Sequence, residues 1–408
     1  MNIRQPTSFL TLFGLAAAVA FLLAFSQTAL AGATDPTNPL RGKQLFMDCE
    51  ASHQSSAKRY NPWYAVRRNP KHALALRRIA EVPGTKWFAG IEERPTRHVE
   101  RFFANVDDPQ WGGPSCSTPL GRGARDAYVG SYPVVAIRRL VNGNCNGMRR
   151  QSAAGYKAWI DAFARQAQMT FVPDSGERYQ YWMGQPFPRG RWVPTSRQMT
   201  IILEPDALGL MGARRSCLKR SEVAGRLEIL RYAAQKLGQT PGFNVYIDAG
   251  SSSWIKQGRM ISYLRAAGVQ YTRGFALGAT HFNRIRRELS YGDRVAKALG
   301  GKHYVINTAE NANGALPKRR WGKYGSKATA CNPRNAGLGA LPTTNTGSVY
   351  ADAFLWISRP GLSSNGKKGA PQCGKENGPT GNSFWLKKAL WEVAQGKVSK
   401  APWPAKPL

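Results

Sequence analysis

The chain is short of acid: 24 Asp and Glu face 58 Lys and Arg over 408 residues, a formal net charge of +34 at pH 7. It is also short of metal-binding chemistry. Its five histidines (His53, His72, His98, His281, His303) are scattered without an HExxH, and none of its six cysteines belongs to a CxxC. A metal site therefore has no support in the sequence. Beyond residue 30 no apolar run is long enough to cross a bilayer. Low complexity and wholesale disorder are excluded as well, because 42% hydrophobic and 11% aromatic residues can bury a large core.

What is present begins with a leader. Arg4 gives a basic start, an uncharged apolar stretch follows from Phe9 to Phe25, and Ala29-Leu30-Ala31 is a small-x-small cleavage site. This pattern predicts a secretory signal peptide over 1–31, a mature domain over 32–408 with a Pro-rich tail at about 399–408, and an extracellular or periplasmic location. Export into an oxidising compartment favours disulfides for the even set Cys49, Cys116, Cys145, Cys217, Cys331 and Cys373. The positive charge is dispersed in pairs such as Arg138-Arg139, Arg214-Arg215 and Arg286-Arg287. Nucleic-acid binders concentrate charge on one face and add a reading motif, so no nucleic acid is expected; adsorption to anionic surfaces is. We expect a monomer without a cofactor.

From residue 133 onward apolar β-like runs alternate with helix-period segments. The runs are 133–138, 200–204, 244–248, Gly274–Leu277, His303–Asn307 and 351–357, and the helical patterns are Ala153–Ala167, 221–237, 257–267 and 293–299. In the second helix Ser221 can cap the start, and Gly238 sits where a helix stops. Doubly apolar strands alternating with helices predict α/β architecture with parallel strands buried under helices. Polar residues follow the strands directly: Asn142-Gly143-Asn144, Glu204-Pro205-Asp206, Asp248-Ala249-Gly250, then Asn307 and Glu310. In a parallel barrel such loops open on one face, so these residues would converge on a single cleft. Segment 166–198, between a helix and a strand, belongs on the opposite face, whereas 311–350 and 362–383 could wall the cleft.

The strand ends carry a family resemblance. Glu204-Pro205-Asp206, after Ile201-Ile202-Leu203, resembles the acid motif of glycoside hydrolase family 6, the inverting β-1,4-glucanases and cellobiohydrolases, and Tyr246-Ile247-Asp248-Ala249-Gly250 is similar to its second acidic strand. Arg273-Gly274-Phe275-Ala276-Leu277, Pro342-Thr343-Thr344-Asn345-Thr346-Gly347 and Asp352-Ala353-Phe354-Leu355-Trp356-Ile357 continue the likeness in order. It implies a distorted, incomplete (β/α) barrel with Asp206 as proton donor, Asp248 in support, and Trp87, Trp254 and Ser251 on the sugar. It also implies disulfides Cys145–Cys217 and Cys331–Cys373, which leaves Cys49 and Cys116 to pair with each other.

Departures from the family pattern accompany the matches. The position usually held by a catalytic Asp is Asn144, and the Tyr beneath the reactive sugar is replaced by Arg138, so Arg138 becomes a candidate substrate-binding residue favouring acidic glycans. The run that carries the base in the family reads Ser358-Arg359-Pro360-Gly361-Leu362-Ser363-Ser364, without its Lys, Glu and Asp. Gly278 and Ala330 replace two further sugar ligands. Two functions are therefore expected to compete: a secreted β-1,4-glucanase-type hydrolase of a cellulose-like or acidic polysaccharide, with water activated elsewhere, for instance by the Ser152 carbonyl; or a catalytically impaired relative that binds glycans or belongs to the envelope.

Overall fold

The strand Met199–Leu203 is buried at every position, and such a strand needs apolar cover on both faces. A computed structural model, which describes residues 37–47, 62–89, 97–107, 132–140, 152–174, 179–182, 185–188, 190–212, 218–316, 332–363, 379, 383–396 and 408, shows where the cover comes from. In chain order the strands are β1 (Lys86–Ala89), β2 (Val134–Arg138), β3 (Met169–Pro173), β4 (Tyr179–Trp182), β5 (Gln185–Pro188), β6 (Gly190–Pro194), β7 (Met199–Leu203), β8 (Phe243–Asp248), β9 (Gly274–Leu277), β10 (His303–Asn307) and β11 (Ala351–Leu355). Among the described residues, β1, β2 and β7 to β11 form one sheet in the order β1-β2-β7-β8-β9-β10-β11, with parallel pairing throughout. This is the incomplete (β/α) barrel that the family resemblance implies, with the parallel strands that the alternation predicts.

Side-chain alternation divides the core into two. Val134, Ala136, Ile202, Tyr246, Val305 and Ala353 pack together inside the curl, and their sequence neighbours Val135, Ile137, Ile201 and Val245 pack outward. The outer layer meets the helices Ala153–Ala167 and Arg220–Gly238 through Phe163, Leu230 and Leu237. Inside, the Tyr246 hydroxyl donates to Asp352, which also receives the Arg273 guanidinium through Nε and Nη2, both at 2.9 Å. The two edges of the sheet are joined where Thr85 N donates to Trp356 O (3.0 Å) and Trp87 Nε1 to Ile357 O (2.7 Å). At the amino-terminal ends of the strands, residues 37–47 cross the opening, with Leu40 fully buried and Asn38 Nδ2 on Asp352 O.

Several elements depart from expectation. β1 was not anticipated, since four residues of mixed exposure carry no pattern that separates them from a loop. The 166–198 segment contains two antiparallel pairs, β3 with β6 and β4 with β5. Its ends meet at the amino-terminal side, where Thr195 N donates to Gln168 O, so its placement away from the strand ends holds. The helix expected over 293–299 begins earlier, at Ile285, because Glu288 is buried and satisfied inside the fold rather than exposed. Ser221 does not cap its helix. Lys219 is the capping position, and its N–H donates to Glu222 Oε2 at 2.6 Å. Gly238 is required by space, since a Cβ there would stand 2.0 Å from Tyr271 O.

Candidate active site

The Glu204-Pro205-Asp206 turn reverses the hand of the backbone as the chain leaves β7. Both Glu204 (φ 52°) and Asp206 (φ 75°) are left-handed, a conformation costing on the order of 1–3 kcal/mol per non-glycine residue. Hydrogen bonds hold each in place. Glu204 turns away from the cleft, fully buried, and its carboxylate accepts from the backbone N–H groups of Arg139 and Leu140 and from the Tyr156 hydroxyl. Burial pushes its carboxyl up to about 7 against those bonds. Asp206 turns toward the cleft, and its backbone N–H donates to Asp248 Oδ2 at 2.9 Å.

Around the Asp206 carboxylate the structure gathers residues distant in sequence. Arg138 Nη2, from the end of β2, donates to Oδ2 at 2.9 Å. The Thr280 hydroxyl, just beyond β9, donates to Oδ1 and lies 3.1 Å from His281 Nδ1. With its one proton given to Asp206, the Thr280 oxygen can accept from His281 in the tautomer that carries its proton on Nδ1. Burial lowers the His281 pKa, with the Asp206 charge opposing. Its ring lies against the Trp254 indole, with centroids 4.6 Å apart. That indole is seated on Gly209, where a Cβ would come within 2.3 Å of the ring.

Asp248 is almost wholly enclosed. Its Oδ2 accepts from the N–H groups of Asp206 and Gly250, while Oδ1 is buried without a partner. Burial, and next the Asp206 charge, raise its carboxyl well above the ordinary range, against the pull of Arg138. The rim beyond it is braced by Asn307, whose Nδ2 donates to Gly278 O and Ser358 Oγ and whose Oδ1 accepts from Ile357 N and Ser358 N. Behind the rim, buried Lys388 lies between Glu310 and Glu392, and Glu392 also accepts from Gly361 N. Asn307 and Glu310 thus hold the strand ends together and do not face the cleft as free polar groups.

Of the residues expected at the site, Asp206, Asp248 and Arg138 come together. Trp254 joins them through His281. Trp87 lies at the sheet edges and carries the Arg359 guanidinium 5.5 Å from its ring centroid. Ser251, expected on the sugar, is instead fully buried with its hydroxyl toward Ser253, because this turn packs beneath the Asn283–Glu288 hydrogen bonds to Ser252 and Ser253. The Ser152 carbonyl is taken by Tyr156 N at the start of its helix. Arg139, adjacent to Arg138, faces away and stacks on Trp159. The leader, Asn144, Ala330, the tail up to residue 407, and Cys49, Cys116, Cys145, Cys217, Cys331 and Cys373 lie outside the described residues. Thr280 and His281 were missed; the signal was there, since they follow a strand end as Asp206 and Asp248 do.

Residues 167–387 match the model of glycosyl hydrolases family 6, which covers more than half of the chain. The chain belongs to this family. Relatives of this family 6 chain include endoglucanase A of Cellulomonas fimi, 34% identical over 190 residues (45% of this chain, 38% of that protein). Endoglucanase A of Thermobispora bispora is 30% identical over 307 residues (73% and 54%). The chain therefore spans between about two-fifths and about half the length of these two relatives. Among solved structures, the Cel6 endoglucanase of Mycobacterium tuberculosis, in complex with a thio-cellobioside, superposes with a TM-score of 0.64 at 26% identity, covering 88% of this chain and 99% of that one. CcCel6C of Coprinopsis cinerea shares the fold at 16% identity, with a TM-score of 0.64 and coverage of 90% and 100%.

Proposed function

We propose that this family 6 chain is an exported glycoside hydrolase that cleaves β-1,4-linked glucan or a related acidic polysaccharide with inversion, using Asp206 as the proton donor. The observation that carries this reading is the strand-end turn, which spends two left-handed residues to aim Asp206 into the cleft while Asp248 holds its backbone. Asp206 protonates the glycosidic oxygen as the C1–O bond breaks. Water adds to C1 from the opposite face and loses its proton to solvent or a base, and Asp206 is then reprotonated. Asp248 stays buried beneath, so it positions the donor. Trp254 offers an apolar ring face to a sugar, with Gly209 and His281 fixing its orientation.

The test is release of reducing ends from neutral and acidic β-1,4-glucans. Asp206→Asn should lower kcat by about 10³-fold, the scale of general-acid catalysis, with the melting temperature retained. Turnover by that variant at the wild-type rate would remove Asp206 from the role. A second reading, glycan binding without turnover, is favoured by Leu362 in place of the family's Glu and by the ion pair that engages Asp206. Tight binding with no reducing ends from any substrate would establish it.

A further inference from the structure

The proton donor is engaged in a way that a donor cannot work. Asp206 Oδ2 accepts from the Arg138 guanidinium and Oδ1 accepts from Thr280, so in this arrangement both oxygens act as acceptors and the carboxyl carries no proton to give to a glycosidic bond. The arrangement is not sealed in: the Arg138 side chain is 24% exposed and that of Asp206 12%. Nor is Arg138 saturated. Asp206 takes Nη2, while Nε is buried without a partner, so half of the side-on edge that a carboxylate grips bidentately is unpaired. A second guanidinium, that of Arg359, lies over the Trp87 ring farther along the same rim, where β1 meets the segment after β11.

We propose that Arg138 is the receptor for a substrate carboxylate, that of a β-1,4-linked uronosyl residue, and that binding it exchanges the counter-ion and releases Asp206 to act as the acid. The inference rests on the hydrolase reading and deepens it by naming the substrate class. The uronate takes the Nε and Nη2 edge of Arg138 and displaces Asp206 Oδ2. The guanidinium charge is then neutralised by substrate. Asp206 is left beside Asp248 with no cation, and it takes up one proton from solvent on Oδ2. Thr280 continues to hold Oδ1, which keeps the newly protonated oxygen turned toward the cleft. A neutral glucosyl residue offers Arg138 only hydroxyls, which do not replace a carboxylate, so the ion pair persists and the donor stays engaged. The residue that departs from the family's uncharged aromatic thereby selects for substrate charge and couples selection to activation.

Proton uptake tests this without requiring turnover. Sulfur-linked, uncleavable oligomers of β-1,4-glucuronate and of β-1,4-glucose are titrated into the wild-type protein by calorimetry in two buffers of different ionisation enthalpy, at a pH near 6. The glucuronate oligomer should bind about 10- to 100-fold more tightly, the range of a charge-assisted bond, and take up close to one proton, whereas the glucose oligomer takes up none. Arg138→Tyr should abolish the preference, and Asp206→Asn should abolish the uptake while retaining the preference; melting curves confirm that both variants fold. Equal affinity for the two oligomers, or uronate binding without proton uptake, overturns the inference. Hydrolysis is read separately on oxygen-linked substrates. Proton uptake without any bond cleavage would leave the inference standing and remove the hydrolase reading. Cleavage of neutral glucan at least as fast as glucuronan, judged by kcat, would do the reverse.

Discussion

Glu204 and Asp206 are two residues apart and meet opposite fates, because the left-handed turn sends one carboxyl into the protein and the other to the cleft. Burial raises Glu204 from 4.5 to about 7, so the folded state holds this proton more tightly than the unfolded chain. The sign follows by linkage: the stability that Glu204 contributes is fully present below about 4.5 and is lost as pH rises toward about 7, a loss of roughly 3 kcal/mol. Asp248, raised by burial and by Asp206, adds to the same trend above 3.8. Urea midpoints measured from pH 4.5 to pH 7.5 should therefore fall for the wild-type protein. Glu204→Gln should be less stable at acid pH, since its amide faces backbone N–H donors, and should show a flatter profile. A wild-type midpoint that rises over this interval would show that the three hydrogen bonds on Glu204 outweigh its burial.

The helix Arg220–Gly238 contains an internal comparison of what glycine does, between Gly225 and Gly238. Gly225 is exposed, and nothing lies within 4 Å of where a Cβ would stand. Gly238 would bring its Cβ 2.0 Å from the Tyr271 carbonyl oxygen, a backbone atom that cannot swing aside. Gly225→Ala should therefore stabilise the protein by about 0.5–1 kcal/mol through helix propensity alone. Gly238→Ala should destabilise it by about 1–3 kcal/mol or more, since the helix end and the 3-10 turn Val269–Tyr271 would have to separate. Thermal melts of the two variants should move in opposite directions. The same logic of close approach places Gly209 beneath Trp254 and Gly292 against Tyr304. In each case the small residue sets how near a helix can come to its neighbour: the Trp254 turn for Gly209, the strand β10 for Gly292.

At the scale of the whole molecule the excess of basic residues is dispersed along the chain, in pairs such as Arg214-Arg215 and Arg286-Arg287. The net charge of +34 acts at long range and the proposed receptor Arg138 acts locally, so both favour the same kind of polymer. Retention on carboxylated cellulose should exceed retention on plain cellulose at low ionic strength and fall steeply by about 0.5 M salt, as the screening length shrinks toward a few ångströms. The part of uronate affinity that depends on Arg138 is partly buried and should fall less steeply with salt. Retention that does not change with salt would assign the surface charge no role in substrate capture.

Periodicity and strand-end chemistry determined much of this protein from the sequence. β9 and β10 and the helix Ala153–Ala167 lie where the pattern put them, and parallel order follows from apolar runs alternating with helices. Asp206 and Asp248 could be placed on one rim because a residue directly after a parallel strand must reach it, and the resemblance to the family's acidic strands singled them out. Direction and pairing had to come from the tertiary structure. A strand end fixes the rim that a side chain reaches, but the hand of the turn decides whether it enters the cleft, as Asp206 does, or the core, as Glu204 does. Arg138 lies 68 positions from Asp206 and Thr280 lies 74, so those contacts exist only once β2, β7 and β9 are packed in one sheet. Ser251 reads as a sugar ligand and Asn307 as a polar cleft residue in the sequence, and in the fold both are buried. Local chemistry is written in the chain, whereas the partner that each polar group finds is set by long-range packing, because burial satisfies such groups with whatever the fold brings beside them.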